Sequence, residues 1–389
     1  MSVKIEHILE NIDGYQRIKQ ESASLKKYGH DYGLDKGRTQ QTVERIHPRK
    51  LFLKVSEIQK PTSDVVTVRL VCERGTLPPF LAGQYLNVEV TIEGINTARP
   101  YSISSPPHNH AYVDITIKRV PGGVVSSHLI DQLQVGDHLE TSGPAGQFYY
   151  NPVIHGKKLV FLAGGSGITP VMSMIREFCD RGLELDLYLL YGSASPNEII
   201  FEDELNHYAS YHSNLSVTHV ISSPAPGYTG HRGFLSAELI GKVVPDAASA
   251  VYYLCGPAVM MTYCMQQLEV LGIPKKHIRK ENFNAYTDIT QALGWPDNIS
   301  ATDHFAIQVG DEITIDAQAG ESLLTALERG GVTVPSLCRS GECSLCRVKV
   351  DSGQVFEAPG TKTRKSDCHY GYVHSCSCYP ITNIRLGQT

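Results

Sequence analysis

The residues best placed to do chemistry are cysteines. Cys338-Arg-Ser-Gly-Glu-Cys343-Ser-Leu-Cys346 is a C-x4-C-x2-C run, and Cys376 follows after 29 intervening residues. Four thiolates at this spacing suit two irons bridged by sulfide, a [2Fe–2S] centre. Such a centre needs a tight loop whose backbone N–H groups point at sulfur. Gly341 permits the close turn, and Ser340 and Ser344 are small enough not to crowd it. Hydrogen bonds of this kind help set the reduction potential. Zinc sites use paired short spacings, which are absent here. Six of the 10 cysteines fall between Cys338 and Cys378. Cys368 and Cys378 are rivals for the fourth position. Cys72, Cys179 and Cys264 read as ordinary buried thiols.

Two further constellations suit organic redox groups. Arg99-Pro100-Tyr101-Ser102-Ile103-Ser104-Ser105 sits at a strand, and Gly122-Gly123-Val124-Val125-Ser126-Ser127 comes later. A flavin needs an aromatic wall, a donor near N5 and a cradle for phosphate. Tyr101 could stack on the ring, Ser102 could donate, and Arg99 could bind phosphate. Gly122 and Gly123 precede an expected helix, whose N-terminus favours anions. Leu159-Val-Phe-Leu-Ala-Gly164-Gly165-Ser166-Gly167-Ile168-Thr169-Pro170 reads as strand, glycine turn and helix. Thr169 is expected to cap that helix and Pro170 to fit its first turn. The glycines let backbone approach a pyrophosphate, although the G-x-G-x-x-G fingerprint is not met. Cys255-Gly256-Pro257 closes the apolar run AVYYL, and ligands of parallel sheets bind at strand carboxyl ends.

These motifs carry a resemblance. Residues 303–389, with Cys376-Ser-Cys-Tyr379-Pro380, resemble the plant-type ferredoxin domain, and that register selects Cys376 over Cys378. Residues 50–285 resemble the ferredoxin–NADP reductase superfamily, through R-x-Y-S, the later GG…S turn, Gly143-Pro144-x-Gly146-x-Phe148 and the G-G-x-G-x-x-P turn. The resemblance implies that Arg99, Tyr101 and Ser102 contact the flavin and that Gly123, Val124 and Ser126 line its pyrophosphate. It places Cys255, Gly256 and Pro257 beside the nicotinamide, with no nucleophilic role for Cys255. It also favours FAD over FMN. The whole order is similar to that of oxygenase reductases, phenylacetyl-coenzyme-A-epoxidase-type reductases and the reductase of hybrid-cluster protein.

The elements that must hold these groups follow from pattern. Residues 1–46 are polar, with a scattered helical pattern in IEHILENI and a turn-rich break at His30–Arg38. They read as a short helical N-terminal extension that packs on the neighbouring domain, or else docks a partner or makes a dimer contact. Residues 47–153 carry LFLKVSEI, VVTVRLVCE, YLNVEVTI and AYVDITIKRV, short β-branched segments with turn signals between them. That predicts an antiparallel β-barrel. Residues 154–285 alternate apolar strands with helices, one over about Pro170–Arg181, which predicts an α/β parallel sheet. Residues 286–302 read as a linker. Residues 303–389 form the third unit, of β-grasp type by the resemblance, with a hairpin across Gly310-Asp311 and a helix in SLLTALERGG stopped by Gly330-Gly331.

Bulk properties exclude other classes. The 35 Lys and Arg against 40 Asp and Glu give −5 with His neutral, a poor basis for nucleic-acid binding. No stretch of about 18 apolar residues suggests a membrane span, and the first residues lack a signal-peptide core. The cytoplasm is the expected compartment, and metal ligation is favoured over disulfides. Gly192-Ser-Ala-Ser-Pro-Asn-Glu198 has no cation for an adenosine 2′-phosphate, and Glu198 would repel one. NADH is therefore expected over NADPH, with Arg232 as the residue that could reverse this. The expected function is electron transfer from NADH through FAD to the cluster and on to a separate oxygenase component; the alternatives are a non-oxygenase metalloprotein such as hybrid-cluster protein as acceptor, or a low-turnover redox sensor.

Overall fold

Residues 14–28, 37–73, 75–283 and 288–387 are described in a computed structural model of the chain. The chain divides into two compact units, Met1–Pro48 and Arg49–Thr389. The first contains the helices Tyr15–Tyr28 and Arg38–Ile46. Ile18 and Val43 are exposed in it. The IEHILENI pattern lies outside the described residues, as does most of the expected break at 30–38.

The second unit begins with a six-stranded antiparallel sheet, β1 (Lys50–Thr62), β2 (Val65–Val71), β3 (Tyr85–Ile92), β4 (Ile95–Ser102), β5 (Val113–Lys118) and β6 (His138–Ser142). Their order is β4-β3-β6-β1-β2-β5. An antiparallel bridge from Ile103 to Ile115 joins the two edge strands, so the sheet curls into the expected barrel and leaves little free edge. β-branched and Leu side chains such as Leu53, Val68, Val88, Ile115 and Ile117 fill its core. Between β5 and β6 the chain forms the Val124–Gln132 helix.

Next comes a parallel sheet, β7 (Lys158–Gly164), β8 (Asp186–Ser193), β9 (Leu215–Ile221), β10 (His231–Arg232), β11 (Val251–Cys255) and β12 (Ile278–Glu281). The order is β10-β9-β8-β7-β11-β12. The chain runs outward from β7 to β10, then returns to β11 on the other side of β7. The crevice of this sheet therefore opens at Gly164 and Cys255, where the strand order reverses. β7 and β11 are buried on both faces, which explains their unbroken apolar sequences. The helix after β7 spans Ile168–Asp180, two residues earlier than the pattern suggested.

The last part has β13 (His304–Val309), β14 (Ile313–Gln318), β15 (Arg347–Ser352), β16 (Val355–Glu357), β17 (Tyr372–His374), β18 (Cys378–Pro380) and β19 (Ile384–Leu386). Five of these form a sheet ordered β14-β13-β19-β15-β17, and β16 pairs with β18. β13 and β14 make the expected hairpin. The Leu323–Arg329 helix is capped by Ser322, whose hydroxyl accepts from Thr325 N–H at 3.2 Å. Its Leu323, Leu324 and Leu327 fill the core over this sheet. Within the segment read as a linker, Ile289 is buried among Ala358, Tyr379, Trp295 and Phe356. Among the described residues no helix is long and apolar enough to cross a membrane.

Candidate electron-transfer site

The cysteine loop joins the Leu323–Arg329 helix to β15. Three residues between Cys338 and Cys346 take left-handed backbone: Arg339 (φ 51°), Gly341 (φ 75°) and Ser344 (φ 60°). Two of the three are not glycine, so the loop is held by its surroundings. The twist turns N–H groups inward. Gly341 donates to Cys376 Sγ at 3.3 Å, Cys343 to Cys338 Sγ at 3.4 Å and Ser340 to Cys338 Sγ at 3.5 Å. Cys338 contacts Cys343 and Cys376, and Cys346 contacts Cys376. Among the described residues no three His, Cys, Asp or Glu side chains are arranged for a single metal ion. Two sulfur pairs, each beside the other, suit two irons with two thiolates apiece, so these residues fit a [2Fe–2S] cluster. Cys378 is buried in β18, paired with Glu357 on β16. Cys368 is exposed on the Lys365–His369 helix.

Arg99, Tyr101 and Ser102 lie on β4, which pairs with β3 in full register. Burial, and then the neighbouring Arg339 cation, push the Arg99 guanidinium down to about 10. Glu328, which Arg99 reaches through the Thr97 hydroxyl, is already paired with Arg339. Two buried cations thus share one carboxylate, and a further anion is wanted here. Gly122 takes left-handed backbone, and Gly123 caps the Val124–Gln132 helix with no side chain closing its first turn. Ser126 Oγ accepts from Val120 N–H at 3.1 Å and so shapes the turn instead of capping it. Open N–H groups and a buried cation fit the pyrophosphate of FAD. Burial drives the Tyr101 phenol well above its ordinary range, which keeps it neutral.

The rest of that motif has another task. Ser104 and Ser105 are fully buried. Their carbonyls accept from Arg176 Nη1 at 2.6 Å and Ser173 Oγ at 2.7 Å, both on the Ile168–Asp180 helix. Phe148 completes this join: its ring meets Tyr253 edge-on at 5.3 Å.

At the nucleotide turn, Gly165 has φ 51° and Gly167 caps the Ile168–Asp180 helix. A Cβ on Gly167 would lie 2.1 Å from the Cys255 carbonyl oxygen, so only glycine lets β7's turn meet the end of β11. A Cβ on Gly164 would lie 2.2 Å from Met260 Sδ, and one on Gly256 2.7 Å from Met260 Cε. Thr169 does not cap the helix. It sits inside the first turn and donates from Oγ1 to the Ser166 carbonyl at 2.7 Å. The helix starts one residue before it because Gly165–Gly167 form a 3-10 turn that feeds straight into it. The N-terminus is thereby left open for phosphate. Cys255 is buried and its thiol is pushed well up by desolvation, which removes any thiolate chemistry.

The three parts converge at one place. Cys255 pairs in register with Glu281 at the end of β12. Burial, then the negative charges of Glu342 and Cys338, raise the Glu281 carboxyl to about 8. Phe283, two residues on, meets Tyr85 at the start of β3 edge-on at 6.0 Å. Burial drives the Tyr85 phenol well up, and Cys338, Glu281 and Cys343 lie close enough to oppose its ionisation further. The barrel, the nucleotide sheet and the cysteine loop therefore meet around Tyr85, Glu281 and Cys338.

Comparison with known proteins agrees with this arrangement. Residues 53–150 match the oxidoreductase FAD-binding domain, 161–266 the oxidoreductase NAD-binding domain and 307–380 the 2Fe-2S iron-sulfur cluster binding domain. The chain is 32% identical over 349 residues to the glycine betaine monooxygenase reductase subunit of Pseudomonas aeruginosa, covering 86% of this chain and 94% of that one. It is 33% identical over 335 residues to the NADH oxidoreductase HCR of Escherichia coli, covering 86% and 96%. The chain belongs to the ferredoxin–NADP reductase family, in the branch with a C-terminal [2Fe–2S] domain. The solved structure of phthalate dioxygenase reductase shares the fold, with TM-score 0.66 and 24% identity over 87% of this chain and 97% of that one. The reductase moves electrons from NADH through FAD to a [2Fe–2S] cluster.

Some residues of the reductase site gave no signal in the sequence. Glu281, Phe283, Tyr85 and Glu328 stand in no motif, and their roles come from where distant strands end. Arg339 lies inside the cysteine run, where a charge between ligands was the one available hint. Glu198 is not a free negative charge: Lys118 Nζ lies 3.4 Å from its carboxylate and Ser195 Oγ 3.0 Å. Arg232 folds back onto the Tyr228 carbonyl. A cavity of about 740 Å³ between barrel and nucleotide sheet is lined by Arg69, Asp114, Arg176 and Glu204. These residues pair with one another, as in Arg69 with Asp114 and Arg176 with Glu204, and the cavity lies apart from the redox junction.

Proposed function

We propose that the reductase supplies single electrons to a separate oxygenase component. What carries this reading is the meeting of the three parts: Cys255 pairs with Glu281, Phe283 packs edge-on against Tyr85 of the barrel, and Asn87 on the same strand holds the cysteine loop through the Ser336 carbonyl, which puts hydride entry and electron exit side by side. Relatives named as monooxygenase reductase subunits support the oxygenase as partner. The relative named NADH oxidoreductase HCR supports a second reading, with a non-oxygenase metalloprotein as acceptor. The division into 1–46, 47–153, 154–285, 286–302 and 303–389, and a cytoplasmic setting, belong to the same proposal.

In this reading Arg99, Gly122, Gly123, Val124 and Ser126 hold FAD, while Tyr101 and Ser102 face its ring. Gly164, Gly165, Gly167, Thr169, Gly256 and Pro257 receive NADH, and Cys255 packs beside the nicotinamide. Cys338, Cys343, Cys346 and Cys376 hold the cluster. Bound FAD would supply the change from two-electron to one-electron transfer. The chain orients the partners, keeps Tyr101 and Cys255 neutral, and excludes water with Phe283 and Tyr85. Glu281, raised to about 8, keeps its proton at neutral pH and so adds no charge beside the cluster.

The test pairs the purified reductase with a purified Rieske-type oxygenase and, separately, with a hybrid-cluster protein. NADH oxidation should couple to oxygenase turnover. Coupling to the hybrid-cluster protein alone would establish the second reading. Coupling to neither, with cytochrome c still reduced, would sink both partner assignments.

A further inference from the structure

Glu328 sits in the last turn of the Leu323–Arg329 helix, which lies against β4. Its two carboxylate oxygens serve different parts of the molecule. One accepts from Arg339 Nη2, on the residue that follows Cys338. The other accepts from Thr97 Oγ1 on β4 at 2.9 Å, and Thr97 Oγ1 accepts in turn from Arg99 Nη1 at 2.9 Å. The Arg339 and Glu328 side chains are only 9% and 10% exposed, so water is a poor substitute for the pairing. Arg339 also holds the left-handed backbone that turns the cysteine loop, a conformation a non-glycine residue keeps only when its surroundings enforce it. A second tie runs parallel, from Asn87 Nδ2 on β3 to the Ser336 carbonyl at 3.0 Å.

We propose that Glu328 is a positioning residue for flavin-to-cluster electron transfer. It fixes the cysteine loop to the strand that carries Arg99, Tyr101 and Ser102, and so sets the gap an electron must cross. Each crossing oxidises the reduced flavin by one electron and reduces the cluster by one, and NADH supplies both electrons as hydride. Transfer across such a gap falls steeply with distance, whereas hydride delivery depends on the nucleotide crevice, which Glu328 does not touch. The inference rests on the proposed placement of FAD and cluster.

The test uses the holoprotein and two variants. Glu328→Gln keeps the shape and removes the charge. Thr97→Val leaves the Arg339–Glu328 pair whole and removes the hydroxyl that links it to β4 and to Arg99, so it guards against a folding failure of the first. Anaerobic stopped-flow mixing with NADH follows flavin bleaching and cluster reduction at separate wavelengths. Both variants should reduce flavin within about twofold of the parent rate and reduce the cluster roughly tenfold more slowly. Amide hydrogen exchange in the resting protein should rise at 336–345 and 95–101, a readout independent of turnover. Cluster reduction within about twofold of the parent in Thr97→Val, or unchanged exchange at both segments, would overturn the inference. A parent protein whose flavin is reduced but whose cluster never is would instead overturn the underlying electron route.

Discussion

The Gly341 N–H points at Cys376 Sγ from 3.3 Å, across 35 residues of sequence. Gly341 has φ 75°, and a Cβ there would lie 2.5 Å from Ser377 Oγ. Gly341→Ala should therefore strain the loop and loosen the cluster. Iron and sulfide retention after gel filtration, with visible absorbance, checks this. Full retention with an unchanged spectrum would count against the loop geometry.

The same contact singles out the fourth cysteine. Cys376→Ser should lose the cluster, still accept hydride onto flavin, and fail with cytochrome c. Cys368→Ser should change little, because that thiol is exposed. Cys378→Ser should keep the cluster but melt earlier, since a buried hydroxyl without its partner costs about 1–3 kcal/mol. Iron analysis of the three variants decides it, and a cluster retained in Cys376→Ser would refute the assignment.

Coenzyme preference can be read in kcat/KM. NADH should exceed NADPH by about tenfold or more, on the order of 1.4 kcal/mol. The Glu198 carboxylate is occupied by Lys118, so repulsion is weaker than its position in the sequence suggests. What remains is the lack of a cation to replace phosphate hydration. Arg232→Ala should leave the ratio unchanged, because that side chain donates to Tyr228. A strong NADPH preference that disappears in Arg232→Ala would defeat this account.

Glu281 gives a pH signature with a definite sign. Its carboxyl is raised from 4.5 to about 8 on folding, mainly by burial. Between those values the folded state holds a proton that the unfolded state has lost, so stability falls as pH rises. Glu281→Gln should remove that part of the slope. Melting curves of both proteins at several pH values from about 5 to 8 would test it. Equal slopes in the two proteins would mean that Glu281 titrates normally.

Gly167→Ala should drive the nucleotide turn away from β11, because its Cβ would lie 2.1 Å from the Cys255 carbonyl oxygen. KM for NADH should rise by roughly tenfold or more. Reduction of the flavin by dithionite should be unaffected. An unaltered KM would show that the turn yields without disturbing the nucleotide.

The sequence by itself determined the features that repeat over a few residues. Cysteine spacing, the glycine turns at Gly122 and Gly164, and the change from alternating strands to unbroken apolar ones are local patterns. A strand's faces and a loop's reach depend on neighbours in the chain, so these could be read directly. Tertiary structure decided what depends on partners brought from afar. Thr169 reads as a helix cap, yet the preceding 3-10 turn puts the helix start one residue before it. Glu198 looked unpaired until Lys118, 80 residues away, came to its side. Glu281 acquires its shifted carboxyl, and Glu328 its two arginine-linked contacts, only when three parts of the chain meet. Charge, burial and pairing are properties of surroundings, and the surroundings of these residues are assembled only by folding.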